Sequence, residues 1–423
     1  MANARKIAIE ALLDVRKSAY SNITLNKFLS EAELSSVDKA FTTAIFYGVL
    51  DRTITLDYVL SQFIKTPLKK VVPSVLENLR VALYQIMYME KIPNSAAVNE
   101  AVKIVKNSKQ KNLSGFVNGV LRNILREEIL LPAGNDVKSL SIRYSCPEWL
   151  IESFIKDYGI DNAIQLLEHS LQAPPIILRV NTLKTNLTDL CEILSKENIT
   201  AKLLSTENAL EVIGGIDVTG SDAFLKGLFH VQDIASQIAV NILAPKSEEM
   251  ILDICAAPGG KTFTIAQYMK NLGNITACDL YTRRLELIKK GAKRLGIDII
   301  NTLQNDATVL NNEFDKYDAI LCDVPCSGFG VIRRKPEIKY KNLDDYNDIT
   351  QIQYTILENA THYLKENGRI LYSTCTLRKC ENEDVIQRFL DKYPNYELKY
   401  QHTFMPHTDG SDGFYCALLK KSR

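Results

Sequence analysis

The sequence predicts an α/β protein. A mostly parallel, doubly wound sheet fills its C-terminal half, preceded by an all-α segment and a small α/β module. Three observations carry this reading. Residues 1–130 place apolar side chains at helical spacing throughout. Residues 141–235 mix short β-like runs with polar helical stretches. From about residue 236, nearly continuous apolar runs alternate with helical patterns, as parallel strands covered on both faces do. A chain of 423 residues is long enough for about three domains. The expected boundaries are 1–130, 141–235 and 236–423.

The elements follow in order. Leu76, Leu79, Leu83 and Ile86 form one helical stripe, and Val98, Ala101, Val102 and Val105 a second. Leu113, Phe116, Val117, Val120, Leu121 and Ile124 form a third. Turn residues at 131–136 end the helical segment. Pro147 and Glu148 suit a helix start and Gly159 its end. Ile176–Val180, Thr200–Leu204 and Leu210–Ile213 read as short strands. The C-terminal strands are expected at Met250–Ile254, Ile275–Cys278, Ile299–Leu303, Ala319–Cys322 and Arg369–Tyr372. Helices are expected near 261–271, 282–296, 344–365 and 380–393.

Composition narrows the class. The chain is 46 % hydrophobic and 24 % charged, which argues against disorder, collagen or coiled coil. Its formal charge of +1 excludes a global basic field but leaves room for local patches. Residues 60–126 carry eleven Lys/Arg against Glu77, Glu90 and Glu100, a local net of +8. Residues 329–341 carry Arg333, Arg334, Lys335, Lys339 and Lys341 against Glu337, a net of +4. Such patches suit phosphates, and equally a solvated helix face. No run approaches the roughly 20 apolar residues of a membrane span, and Met1 leads straight to Arg5, Lys6 and Glu10. A cytoplasmic, monomeric protein without membrane contact is expected. Nine cysteines without a Cys-x-x-Cys pair, and five histidines without a ligand pattern, predict neither a disulfide framework nor a bound metal.

The first C-terminal strand runs into Cys255-Ala256-Ala257-Pro258-Gly259-Gly260-Lys261-Thr262. Small residues before a helix let backbone approach a ligand. The segment is close to a P-loop, but Cys255 stands where the first glycine belongs. A P-loop-like ATPase is the rival reading. The next strands end in Asp279, Asp306 and Asp323, three acids along one carboxyl edge. They suit a nucleoside without polyphosphate, of which S-adenosylmethionine is one. Singly, each Asp is equally a cap for the following turn.

Two cysteines lie in turns at neighbouring strand ends: Cys326 after Asp323-Val324-Pro325, and Cys375 in Ser373-Thr374-Cys375-Thr376. The other seven read as small buried apolar residues. A thiolate beside such a cofactor loop can add to carbon 6 of a pyrimidine and make carbon 5 nucleophilic enough to accept a methyl group. An acid at Asp323 can stabilise the adduct through a hydrogen bond to the base. The residues alone do not choose between the two thiols.

The stretches Asp-x-Cys-Ala-Ala-Pro-Gly-Gly-Lys-Thr (253–262), Asp-x-Pro-Cys-Ser-Gly (323–328) and Ser-Thr-Cys-Thr (373–376) resemble the RsmB/NOP family of RNA 5-methylcytosine methyltransferases. Val231-Gln232-Asp233 with Ser236-Gln237, and Asp412-Gly413-Phe414-Tyr415, resemble the same family's flanking segments. Phe116-Val117-Asn118-Gly119-Val120-Leu121-Arg122 resembles the helix signature of NusB domains. The combination is similar to the family's branch acting on small-subunit (16S) ribosomal RNA. The middle segment carries the likeness through Pro174-Pro175 and Arg179-Val180-Asn181-Thr182. The resemblance implies a Rossmann-like methyltransferase fold, a NusB-like helical RNA-binding domain and a small RNA-binding module. It implies S-adenosylmethionine as cofactor, Cys375 as nucleophile and Cys326 as the residue that helps release product. It implies Cys255, Ala256, Ala257, Pro258, Gly259, Gly260, Lys261, Asp279, Asp306 and Asp323 as cofactor neighbours. Val324, Phe329 and Lys335 depart from the family's usual Ala, Thr and His. A non-catalytic RNA-binding factor would need Cys375, Cys326 or Asp323 to be broken, and all three are present.

Overall fold

The computed structural model describes residues 3–17, 21–214, 217–341 and 346–422. It divides into two compact units, residues 1–172 with 332–341, and residues 173–331 with 342–423.

The first unit is helical: α1 (Ala4–Val15), α2 (Ser21–Glu31), α3 (Ser36–Asp51), α4 (Thr53–Phe63), α5 (Pro73–Tyr88), α6 (Asn94–Lys106), α7 (Ser114–Ile124), α8 (Val137–Tyr144) and α9 (Glu148–Ser170). The expected stripes form the core, with Leu79, Leu83, Ala101, Val117 and Leu121 buried together, except that Phe116 faces outward and is exposed. Gly159 does not end α9 but kinks it, at φ +79°. Most of the basic stretch 60–126 is exposed, but Arg80 is not. Its guanidinium is buried between Asp57, at 2.7 Å, and Glu77. It is a core ion pair, where a lone charge would be costly.

The segment 332–341 also differs from expectation, because it packs within this helical unit. Lys339 is buried, donating to Asp51 O at 3.1 Å, and Tyr340 OH donates to Leu50 O at 2.8 Å. Glu337 accepts from Ser21 N at 3.2 Å. Lys339 therefore anchors a strap and is no phosphate ligand.

The second unit holds two sheets. The smaller joins β1 (Ile176–Val180), β2 (Ala201–Leu203), β3 (Ala209–Val212) and β4 (Phe229–Val231) in the antiparallel order β2-β3-β1-β4. Helices α10 (Leu187–Lys196) and α11 (Asp222–Leu225) accompany it. Arg179 and Asn181 are buried here. Asn181 Nδ2 donates to Gly227 O and Leu295 O, both at 2.8 Å, and Arg179 Nη1 to Glu207 O at 3.0 Å. These two residues tie the small sheet to its surroundings.

The larger sheet comprises β5 (Met250–Asp253), β6 (Asn274–Asp279), β7 (Ile300–Gln304), β8 (Tyr317–Asp323), β9 (Leu364–Thr374), β10 (Tyr396–Phe404) and β11 (Phe414–Lys421). Their order is β10-β11-β9-β8-β5-β6-β7. Strands β5 to β9 pair in parallel, and β11 runs antiparallel to both β9 and β10. Helices α12 (Ile234–Leu243), α13 (Gly260–Tyr268), α14 (Thr282–Leu295), α15 (Ile349–Tyr363), α16 (Glu383–Lys392) and the short α17 (Pro406–Asp409) complete the unit. Two apolar clusters pack against the sheet, around Ile251, Ile265 and Leu321, and around Leu252, Ile320 and Tyr372. This is the doubly wound arrangement, and ligands in such sheets bind along the carboxyl edge. No helix among the described residues is long and apolar enough to cross a membrane.

Candidate active site

The carboxyl ends of β5, β6, β8 and β9 carry the predicted residues other than Asp306, which follows β7. The loop 254–259 leaves β5 with Ala256 N donating to Cys278 O at 2.7 Å and Gly259 N to Ala256 O at 2.8 Å. The Ala257–Pro258 peptide is cis, and Gly259 takes φ +105°, a conformation that favours glycine. Helix α13 starts at Gly260, so its first amides have no partner within the helix. A Cβ at position 260 would meet only Gln232 Nε2, at 3.7 Å, which leaves open space before the loop.

The three acids behave differently. Asp279 is 3 % exposed and is paired with Arg284 at 2.9 Å. Arg284 also donates to Ala257 O at 2.6 Å, so one guanidinium joins the acid to the loop. Asp306 is exposed, and its Oδ1 accepts from Thr308 N at 2.9 Å and Thr308 Oγ1 at 2.6 Å. The capping reading describes its geometry. Asp323 is held from two sides, by Lys261 Nζ at 2.8 Å on Oδ2 and Ser373 Oγ at 2.8 Å on Oδ1. Lys261 also lies 4.9 Å from the Phe414 ring. Burial disfavours its ammonium, but Asp323 outweighs this and raises its pKa. The ammonium is committed to Asp323, which removes the lysine a P-loop would present to phosphates.

Beneath the loop lies Asp253, buried and accepting from Thr262 Oγ1 at 2.7 Å. Its Oδ1 has no hydrogen-bond partner among the described residues. Burial pushes its carboxyl up to about 7; the Thr262 hydrogen bond opposes this and the Asp323 charge adds to it. The Cys255 thiol is likewise pushed up, first by burial.

The two cysteines meet. Cys326 Sγ lies 3.2 Å from Cys375 Sγ, because β8 and β9 are neighbours in register Asp323 to Ser373. The loops are stitched by Gly330 N to Cys375 O at 3.0 Å and Gly413 N to Gly330 O at 2.9 Å. A Cβ at Gly330 would run into the Gly413 carbonyl and sit 2.8 Å from Cys375 O, so the crossing requires glycine. The hydrogen bond with Cys375, then burial, then the charges of Cys375 and Glu381, raise the Cys326 thiol well above its ordinary range. The two sulfurs are close enough to share one proton, and either can be the donor. Phe329 and Tyr346, beside the Cys326 loop, are 2 % and 8 % exposed and pack edge-on at 5.2 Å. They are core.

Sequence reading missed Arg284, Ser373 and Thr262 as partners of the acids, and Glu381 with Asn382 behind the thiols. Ser373 and Glu381 reach partners 50 and 54 positions away, whereas Thr262 and Arg284 lie nine and five positions from their acids and were open to a reading of the strand–turn–helix spacing. Among the described residues no group of three or more His, Cys, Asp or Glu is arranged to hold a metal.

Comparison with known proteins identifies the family. Residues 240–420 match the family model of 16S rRNA methyltransferase RsmB/F. Residues 2–126 match the NusB family, and 146–219 the ferredoxin-like domain of RsmF/B-like methyltransferases. A probable ribosomal RNA small subunit methyltransferase B of Bacillus subtilis is 39 % identical, covering 99 % of both chains. One from Synechocystis is 33 % identical over 100 % of both. The crystal structure of PH0851 has a TM-score of 0.85 at 27 % identity, covering 100 % of this chain and 99 % of its own. A methyltransferase homologue from Pyrococcus horikoshii has a TM-score of 0.61 at 28 % identity, covering 68 % of this chain and 99 % of its own. The chain belongs to the RsmB/F family of 16S rRNA methyltransferases.

Proposed function

We propose that this protein transfers a methyl group from S-adenosylmethionine to carbon 5 of a cytosine in small-subunit (16S) ribosomal RNA, in the cytoplasm. The observation that carries the reading is the pair of thiols 3.2 Å apart beside a carboxylate fixed by Lys261 and Ser373. Residues 255–261, with Asp279, Asp306 and Asp323, are the proposed cofactor neighbours. The open space before Gly260 and the free amides of the first turn of α13 fit a ligand brought close to backbone.

Cys375 is the nucleophile of the proposed reaction. Its thiolate bonds to carbon 6 of the flipped-out cytosine, and carbon 5 becomes enamine-like. Bound S-adenosylmethionine supplies the electrophilic methyl group that carbon 5 takes up. Loss of the carbon 5 proton and expulsion of the Cys375 sulfur restore the aromatic ring. Cys326, in contact with Cys375, assists that release. Asp323 orients and stabilises the base. Its oxygens each keep a second acceptor site after binding Lys261 and Ser373, enough for a base N–H. Residues 1–130 and 141–235 are the proposed RNA-binding parts. The exposed lysines of 60–126, Lys69, Lys70, Lys106, Lys109 and Lys111 among them, supply positive charge for phosphates.

Cys375→Ala should abolish methyl transfer. Cys326→Ala should accumulate a covalent protein–RNA adduct on a denaturing gel. Normal turnover in the first variant would overturn the nucleophile assignment, and absence of adduct in the second would overturn the release role.

A further inference from the structure

Two consecutive buried residues, Glu381 and Asn382, each hold one of the thiol-bearing loops. Glu381 Oε2 accepts from Ser327 N at 2.9 Å, and Oε1 from Ser327 Oγ at 2.6 Å. Ser327 directly follows Cys326. On the other side of that cysteine, Pro325 O accepts from Gln353 Nε2 at 2.9 Å, and the same amide donates to Glu381 at 3.0 Å. Both neighbours of Cys326 thus lead to one carboxylate. Asn382 does the same for Cys375. Its Oδ1 accepts from Thr374 Oγ1 at 2.6 Å, and its Nδ2 donates to Thr376 O at 3.0 Å. The halves are joined across the site by Ser327 Oγ and Thr376 Oγ1, 2.8 Å apart. Tyr372 OH fixes the pair from below, donating to Glu381 O at 2.6 Å.

A carboxylate with no exposed surface is expensive unless its partners are well made. Here the partners converge on two reactive loops and on no ligand surface. Arg378, at 3.3 Å, is the cation beside it. We propose that Glu381 and Asn382 are a positioning pair that sets the separation and aim of the two thiols, Glu381 serving the release half-reaction through the Cys326 loop and Asn382 the addition half-reaction through Cys375. The proposal rests on the cysteine roles given above. The Glu381 charge is also among the causes, after the Cys375 hydrogen bond, burial and the Cys375 charge, that push the Cys326 thiol up.

The test uses the full-length protein, S-adenosylmethionine and protein-free 16S rRNA. Glu381→Gln keeps the shape but turns an amide N–H₂ against the Ser327 or Gln353 donors. Turnover should fall about 100-fold, as a misplaced reacting group does. The covalent adduct should build up, as it should with Cys326→Ala, while cofactor affinity stays within about twofold. Iodoacetamide should also modify Cys326 at lower pH than in the wild type, a shift that a purely architectural role would not produce. Asn382→Ala should show the opposite signature, slow adduct formation without accumulation. Ser327→Ala removes only the hydroxyl link and should reproduce the Glu381→Gln build-up, even if that variant fails to fold. Parallel loss of adduct and turnover in both Glu381→Gln and Ser327→Ala, or wild-type partitioning in both, would overturn the positioning role. Absence of adduct in Cys326→Ala itself would instead overturn the cysteine assignment, and this inference with it.

Discussion

Replacing Asp253 with Asn should flatten the pH dependence of stability. The carboxyl is 1 % exposed, with Thr262 as its side-chain donor, and burial raises it to about 7 from an ordinary 3.8. In the unfolded chain it ionises near the ordinary value. Between about pH 4 and pH 7 the folded protein therefore holds a proton that the unfolded chain has lost. The folded state binds more protons in this window, so stability is fully present below it. It falls as pH rises through the window and levels off above the folded value. Three pH units at 1.36 kcal/mol each give about 4 kcal/mol as the upper size of the effect. Asn keeps an acceptor for Thr262 but cannot titrate. Melting temperatures of wild type and Asp253→Asn, measured in the same buffers from pH 5 to pH 9, isolate this group. The wild type should lose several degrees relative to the variant between pH 5 and pH 8, and nothing further to pH 9. Curves parallel across the range would refute the burial argument.

Arg284→Ala removes the tie between Asp279 and Ala257 O, and calorimetry should show S-adenosylmethionine affinity weakened about tenfold, the worth of one charge-assisted hydrogen bond. Unchanged affinity would show that this tie does not shape the cofactor loop. Gly330→Ala forces a methyl into the Gly413 carbonyl and should cost about 1–3 kcal/mol of stability with loss of turnover. A wild-type melting curve would contradict the close crossing of the two loops. RNA affinity should fall linearly with salt on a log–log plot, and the slope should shrink by about one for each phosphate-contacting lysine removed from the 60–126 stretch. A flat plot would move the RNA contacts elsewhere.

Strands β5, β6, β8 and β9 were legible because each is largely buried and reads as an apolar run, whereas β7, at the sheet edge and mostly exposed, was legible only through Ile299, Ile300 and Leu303. Strand β10 carried no such signal. Tyr396–Phe404 lies at the sheet edge and alternates with Glu397, Lys399, Gln401 and His402. The thiol pair was legible because two turn motifs end neighbouring strands. The Glu381–Asn382 pair was not. In the sequence it reads as the first turn of the helix expected near 380–393, and only the fold brings Glu381 to Ser327, 54 positions away. Charge patterning misled at Arg80 and Lys339 for the same reason. A net count cannot distinguish a solvated cation from one buried against Asp57 or Asp51.

The proposed chemistry is decided by which atom of which nucleoside receives the methyl group. Protein-free small-subunit rRNA, incubated with labelled S-adenosylmethionine and the full-length protein, would be digested to nucleosides and analysed by mass spectrometry. The label should appear in 5-methylcytidine, and Cys375→Ala should leave none. Label in another base or on ribose, or 5-methylcytidine formed equally well by Cys375→Ala, would contradict the covalent mechanism.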